Sequence, residues 1–161
     1  MGVEAFVPVI GRPALVPDTS VYIHAAAGRL RPAARELAEA ALMSHCSVCL
    51  GELAVGLANR DVTSPRWPSE RHHFEEMFAR LQATRVIVPD DGVWADAGIV
   101  AGTLARVQKF QASQCKECLN DALIFLSAAK VGLPVLTSNR GEFDLIQQLA
   151  PEGRFIFYEP L

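Results

Sequence analysis

The sequence predicts an α/β protein, a three-layer α/β/α sandwich around a central, mainly parallel sheet. Short apolar segments alternate with longer segments of helical periodicity, which is typical of a parallel sheet covered by helices on both faces. The chain has 161 residues, of which half are apolar and a fifth are charged. That size and composition suit one domain with a substantial core. We assign residues 14–161 to this domain and residues 1–13 to an N-terminal extension.

Five short apolar segments predict the strands of the sheet. The first runs from Ala14 to Asp18 and leads into a helix, for which Thr19 and Ser20 are suitable capping residues. The other four are predicted at residues 42–46, 84–89, 134–138 and 154–159. Because ligands bind at the carboxyl ends of parallel strands, polar residues that follow a strand are candidate site residues.

Helical periodicity and helix-terminating residues predict the helices between these strands. Residues 70–81 show the pattern most clearly, with apolar side chains at the i, i+3, i+4, i+7 spacing of one helical face. Glycine and proline shortly after residue 131 end another helix. Helices are predicted after Asp18 and at residues 32–43, 47–59, 70–81, 90–110, 116–131 and 142–149. Residues 60–69 contain two prolines and predict an exposed loop.

Composition and charge narrow the class of protein. No apolar run approaches the roughly 18 residues that span a membrane, so we expect no membrane partner. The N-terminus does not resemble a signal peptide, and we expect a cytoplasmic protein with reduced cysteines. The net charge of −3 argues mildly against extensive binding to duplex nucleic acid. A basic cluster nevertheless suits either a local groove or a solvated surface, and it comprises Arg60, Arg66, Arg71, His72 and His73.

Carboxylates from distant segments are candidate ligands of a metal ion. Asp18 ends a predicted strand, and Glu52 and Asp121 each lie near the start of a predicted helix. Thr137 and Asn139 follow another strand. Mg²⁺ and Mn²⁺ prefer oxygen ligands, and two such ions can promote phosphodiester hydrolysis. The helix around Asp121 is apolar on nearly all sides, so a carboxylate there requires a partner or a metal. A helix-capping role explains Asp121 equally well from the residues alone.

Four motifs in order resemble the PIN-domain nucleases, particularly the VapC-like toxins of bacterial type II toxin–antitoxin systems. They are PDTSVYI, LGELAVG, LNDALIFLSAAKVGLPVLTSN and RGEF, and they fall within residues 14–158. The resemblance implies a PIN-like domain over residues 14–161 and a Mg²⁺- or Mn²⁺-dependent endoribonuclease that cleaves RNA. It also implies a homodimer that a cognate antitoxin protein inhibits.

The same resemblance implies roles for particular residues. Three acids take the catalytic and metal-binding positions, namely Asp18, Glu52 and Asp121. Asn139 takes a fourth catalytic position, where family members carry Asp or Asn. The residues that would support this set are Thr19, Thr137, Glu142 and Asp144. Local turns and helix caps explain the two threonines about as well.

Two CxxC pairs leave other functions open. Cys46 and Cys49 precede Glu52 at the same spacing as Cys115 and Cys118 precede Asp121. The segment between the pairs is far longer than a zinc-ribbon loop, and helical positions predict core thiols. A zinc site or a redox disulfide remains an alternative. So does a non-catalytic PIN-like module that binds RNA or protein, because an asparagine in place of an acid lowers the charge available to a metal.

Overall fold

The computed structural model describes residues 11–161, and it confirms the predicted α/β sandwich with a parallel sheet. Most of the predicted N-terminal extension lies outside the described residues. The strands are β1 (Ala14–Pro17), β2 (Leu42–Met43), β3 (His45–Cys46), β4 (Val86–Ile87), β5 (Val135–Thr137) and β6 (Phe155–Phe157). The helices are α1 (Thr19–Ala26), α2 (Pro32–Ala40), α3 (Ser47–Ala58), α4 (Trp67–Ala79), α5 (Asp91–Gln108), α6 (Ala112–Lys130) and α7 (Arg140–Leu149).

All strand pairings within residues 11–161 are parallel. One sheet has the strand order β2-β1-β5-β6, and β3 pairs with β4. Val16 on β1 lies opposite Val135 on β5, so the first strand of residues 11–161 is a neighbour of a late one. Ser44 alone separates β2 from β3, and its backbone N–H donates to the Leu15 carbonyl at 2.9 Å. Residues 42–46 therefore join the two sets of strands.

Side chains that alternate along the central strands divide the core into two layers. Leu15 and Leu136 belong to the smaller core, which α1 and α2 cover. Val16 and Val135 belong to the larger core, which contains buried residues of α3, α5, α6 and α7. This two-residue alternation is what a pleated strand produces when both of its faces are buried.

Several boundaries differ from the prediction, and three of the differences have clear local reasons. The helix predicted at residues 116–131 begins at Ala112, because Gln111 and Gln114 form a reciprocal capping box. The helix predicted at residues 70–81 begins at Trp67, with a proline in its first turn where no backbone N–H is needed. The strand predicted at residues 84–89 shortens to Val86–Ile87, since Ala83–Arg85 forms a 3-10 turn. None of the helices within residues 11–161 has the length and apolar character required to cross a lipid bilayer.

Gly153 is required by the close approach of the Phe125 ring. A Cβ at residue 153 would lie 2.2 Å from Cε1 of Phe125, which is fully buried and packs edge-on against Phe143 with centroids 5.9 Å apart. We expect Gly153→Ala to lower the free energy of unfolding by about 1–3 kcal/mol, because the ring must shift within a packed core. Urea denaturation measures this loss.

Gly98→Ala is the matched control for that variant. An added Cβ at Gly98 meets nothing within 4 Å, and this residue lies within α5. Alanine is favoured over glycine inside a helix by about 0.5–1 kcal/mol, so this variant should be more stable than the wild type. Wild-type stability in Gly153→Ala would contradict the packing described.

Candidate functional site

Acidic side chains from four helices gather at one edge of the central sheet. Asp18 directly follows β1, and Asn139 lies two residues after β5. Because these strands are parallel neighbours, both residues lie at the carboxyl edge, where ligands bind in such sheets. Glu52 of α3, Asp121 of α6 and Glu142 of α7 are joined to this edge by hydrogen bonds. We call Asp18, Glu52, Asp121 and Glu142 the acid cluster.

Asp18 is fixed by donors from α1 and from β5. It caps α1 by accepting from the Val21 backbone N–H at 3.3 Å, and the Ser20 hydroxyl donates to Oδ1 at 2.5 Å. The Thr137 hydroxyl donates to Oδ2 at 2.5 Å. The residue is only 4% exposed, and burial raises the pKa of Asp18 while these hydrogen bonds oppose the rise. Asp18 is thus a buried carboxylate with both oxygens in defined positions.

Glu52 has one protein donor for each of its carboxylate oxygens. The Thr19 hydroxyl donates to Oε2, and the Asn120 amide donates to Oε1 at 2.8 Å. Asn120 is a site residue that the sequence interpretation missed. A signal was present, because a polar side chain just before the buried apolar run of α6 requires a partner as much as Asp121 does.

Asn139 links the last two acids of the cluster. Its Nδ2 donates to Oδ2 of Asp121 at 3.2 Å and also to Oε2 of Glu142. Its own backbone N–H donates to the Thr137 hydroxyl at 2.9 Å. Thr137 therefore accepts from residue 139 and donates to Asp18, which connects the two halves of the site.

The acids of the cluster repel one another, and the described residues supply no basic partner for them. The pKa of Asp121 is raised to about 9, first by burial, then by its hydrogen bond to Glu142 and by the charges of Glu142, Asp18 and Glu52. No lysine or arginine within residues 11–161 forms an ion pair with any of these four acids. A bound cation would relieve this repulsion.

The chemistry of the donors fits a hard divalent cation, although the side chains do not form a finished site. Carboxylate oxygens are the ligands that Mg²⁺ and Mn²⁺ prefer. Across the described part of the chain, however, no three histidine, cysteine or acidic side chains are grouped so as to hold a metal. Both oxygens of Asp18 and of Glu52 are instead engaged by protein donors. Metal binding at this site therefore requires side-chain rotation.

Only one of the two acids proposed as helpers on α7 joins the cluster. Glu142 is half-buried and accepts from Asn139. Asp144 is exposed and pairs with Arg140 at 3.5 Å, so the structure does not bring it to the other acids. Two residues along a helix separate their side chains by about half a turn.

A hydrogen-bonded chain of side chains extends from the cluster to the end of the polypeptide. Ser20, which donates to Asp18, lies 3.4 Å from the Tyr158 hydroxyl. That hydroxyl is 2.9 Å from Nδ1 of His24. The residue that follows β6 thus contacts the surroundings of Asp18.

The cysteines pack beside the acids rather than forming a separate centre. Cys46, Cys49 and Cys118 are fully buried in the larger core, as predicted for core thiols, and Cys115 is half-exposed. All four thiols are free. Burial, followed by the charges of Glu142 and Asp121, raises the pKa of Cys118 to about 11. A protonated, buried thiol is a poor nucleophile.

Ion pairs neutralise most of the basic cluster that the sequence places at residues 60–73. Arg71 pairs with Glu75 at 2.7 Å, and His72 lies 3.5 Å from Glu76. Arg60 pairs with Glu70 at 4.0 Å. This arrangement is a solvated, mixed-charge surface, and it does not form a continuous basic groove.

Several solved structures of bacterial complexes share this fold. A chain of VapBC2 from Rickettsia felis, bound to a promoter DNA fragment, is 17% identical with a TM-score of 0.63, and the match covers 91% of this chain and 99% of that one. A chain of FitAcB from Neisseria gonorrhoeae is 17% identical with a TM-score of 0.64, and the match covers 89% of this chain and 96% of that one. A chain of VapBC-5 from Mycobacterium tuberculosis, described as a member of the VapBC family of toxin–antitoxin systems, is 23% identical with a TM-score of 0.59. The match covers 90% of this chain and 98% of that one.

These likenesses define the class of fold. The chain has the α/β sandwich of the PIN-like domains that its motifs resemble, over nearly the whole length of the similar chains. No protein-family model matches the sequence, and no curated protein matches it.

Replacing Asp121 by asparagine should stabilise the metal-free protein. Because the folded-state pKa of about 9 lies above the ordinary 3.8, the folded state binds the extra proton and stability falls as pH rises between these values. In EDTA at about pH 8, Asp121→Asn should melt a few degrees above the wild type, since about 1 kcal/mol shifts Tm by about 2–4 °C in a domain of this size. Differential scanning calorimetry measures the shift.

The pH dependence separates this explanation from a general effect of substitution. The advantage of Asp121→Asn should shrink as the pH falls towards the ordinary value of 3.8, because the carboxyl then becomes protonated in the unfolded state as well and folding takes up no extra proton. Asp144→Asn is the control, because Asp144 is exposed and outside the cluster. A Tm advantage that does not change with pH would contradict the electrostatic cause.

Proposed function

We propose that this chain is a Mg²⁺- or Mn²⁺-dependent endoribonuclease that hydrolyses RNA phosphodiester bonds. The observation that carries the proposal is the acid cluster, in which buried Asp18 and three half-buried carboxylates converge without a basic partner at the ligand-binding edge of the sheet. Structural carboxylates of this kind are normally paired, so an unneutralised group of them favours a functional cation site.

Each residue of the site has a role under this proposal. Asp18, Glu52 and Asp121 would hold the cation, which supplies Lewis-acid activation of water and stabilises charge on the phosphate when bound. The remaining residues position these acids. Thr137 holds Asp18, Thr19 and Asn120 hold Glu52, and Asn139 holds Asp121 beside Glu142.

We also propose that the chain is the toxin of a toxin–antitoxin pair and acts in the cytoplasm, where its RNA substrate lies. Structures with this fold include VapBC complexes and a complex described as toxin–antitoxin from Klebsiella pneumoniae. Those complexes support a cognate antitoxin protein as a partner here. A homodimer is expected from the resemblance to VapC-like toxins.

A second candidate function is a non-catalytic module that binds RNA or protein. The observation that favours it is the amide of Asn139, a neutral donor that already occupies the space between Asp121 and Glu142. The Asn139 amide thus hydrogen-bonds two of the four acids, Asp121 and Glu142, without any metal.

RNA cleavage tests the assigned roles. We expect purified protein to cleave RNA with Mg²⁺ or Mn²⁺ and Asp121→Asn to lose at least about 100-fold in rate, since even residues that only support a metal site contribute about 10–100-fold. Glu142→Gln should be slower than the wild type, whereas Asp144→Asn should cleave normally because Asp144 lies outside the cluster. Wild-type cleavage by a folded Asp121→Asn variant would refute the assignment.

Manganese binding separates the nuclease from the module. Isothermal titration calorimetry should detect Mn²⁺ binding to the wild-type chain and weaker binding to Glu52→Gln, which loses one charged ligand. Asn139→Asp should bind Mn²⁺ more tightly, because it adds a carboxylate between Asp121 and Glu142. An absence of binding at millimolar Mn²⁺ would favour the non-catalytic module.

A further inference from the structure

A cavity of about 280 Å³ with aromatic, aliphatic and charged lining residues lies between α1, β3 and α4, outside the acid cluster. The lining residues with aromatic or charged side chains are Tyr22, His45, His73, Glu76 and Arg80. Ligand pockets begin at about 300 Å³, so this volume suits one ring system rather than a larger molecule. Within residues 11–161, no side-chain hydrogen bond joins these five residues to the acid cluster.

Two aromatic rings form one side of the cavity. The Tyr22 hydroxyl and Nδ1 of His45 are 2.6 Å apart, and the ring centroids are 5.9 Å apart at 41°. This contact fixes both rings relative to each other. Tyrosine and histidine rings are the side chains on which proteins stack unpaired RNA bases.

The charged groups of the lining come from α4 and from Arg80, the residue that directly follows it. Arg80 is exposed and lies 3.4 Å from Glu76, so its guanidinium is held at the rim. Guanidinium groups bind phosphates, and a glutamate oxygen can accept from the exocyclic amine of a base. The imidazole of His73 offers a further donor or acceptor.

The position of the cavity relates it to the acid cluster. Tyr22 follows Asp18 by four residues along α1, which corresponds to a rise of about 6 Å. One nucleotide of an extended strand can bridge such a distance. A strand whose phosphate reaches Asp18 would therefore bring its adjacent base to the cavity.

We propose that this cavity is a nucleotide subsite, which holds the base of the RNA residue next to the bond that is cut. The inference rests on the proposed function. A protein segment is the less suitable occupant, because a groove for an amphipathic helix is lined mainly by aliphatic residues. Here only Met77 and Leu81 are aliphatic.

Nuclear magnetic resonance on the metal-free wild-type chain tests the subsite. Nucleoside 5′-monophosphates should shift the Met77 methyl and the His45 and His73 ring resonances in a saturable manner, with one base preferred over the other three. Shifts that do not saturate, or that centre on residues outside the cavity, would overturn the proposal.

Two arginine variants on α4 provide a matched comparison. Arg80→Ala should weaken nucleotide binding by roughly tenfold, because it removes a charge-assisted contact to phosphate. Arg71→Ala should leave binding unchanged, since Arg71 is also exposed and paired with a glutamate but does not line the cavity. Equal effects of the two substitutions would show that the nucleotide is attracted by overall charge and would overturn the subsite.

Separate outcomes identify which proposal fails. If nucleotides bind the cavity but the wild-type chain cleaves no RNA with either metal, the subsite stands and the nuclease assignment fails. If the chain cleaves RNA but nucleotides leave the cavity unchanged, the subsite fails. Cavity shifts caused by a purified antitoxin, but by no nucleotide, would make this surface a protein-docking site and overturn the proposal.

Discussion

The site depends on one buried hydrogen bond, which the Thr137 hydroxyl donates to Asp18. Thr137 is the last residue of β5, and Asp18 directly follows β1, so this bond joins the two central strands where they end. The same hydroxyl accepts from the Asn139 backbone N–H, which sets the turn into α7. Through that turn it determines where Asn139 meets Asp121 and Glu142. A threonine can make both contacts because a hydroxyl group donates and accepts.

The acid cluster destabilises the folded state, and the rest of the fold has to offset this effect. Burial and mutual repulsion of Asp121 and its neighbours oppose folding when no cation is present. The larger core lies directly behind the cluster and contains the fully buried Phe125 and Phe143. Apolar packing of this kind is the largest favourable contribution to folding, so a rigid core can hold charged groups in an unfavourable arrangement. The thiols of Cys49 and Cys118 belong to this support.

The sequence predicted the fold because alternating strands and helices admit few arrangements. It also located Asp18, Glu52 and Asp121, since each sits at the end of a strand or the start of a helix. Asn120 was missed, because its partner Glu52 is distant in the chain and only the packing of α3 against α6 brings them together. Whether Glu142 or Asp144 joins the acid cluster depends on how α7 is rotated about its own axis, which only the packed structure defines. Boundaries also depended on local contacts, such as the glutamine capping box that begins α6.

The strand order has a consequence for the time at which the site forms during synthesis. The first strand, β1, pairs with β5, which lies in the last fifth of the chain. A growing polypeptide on the ribosome therefore contains Asp18 long before Thr137, which is synthesised 119 residues later. Domains fold during synthesis from the N-terminus onward, so the acid cluster can assemble only after β5 and α7 have been made. Until then its acids lie on separate, incompletely packed segments, and no cation site can exist.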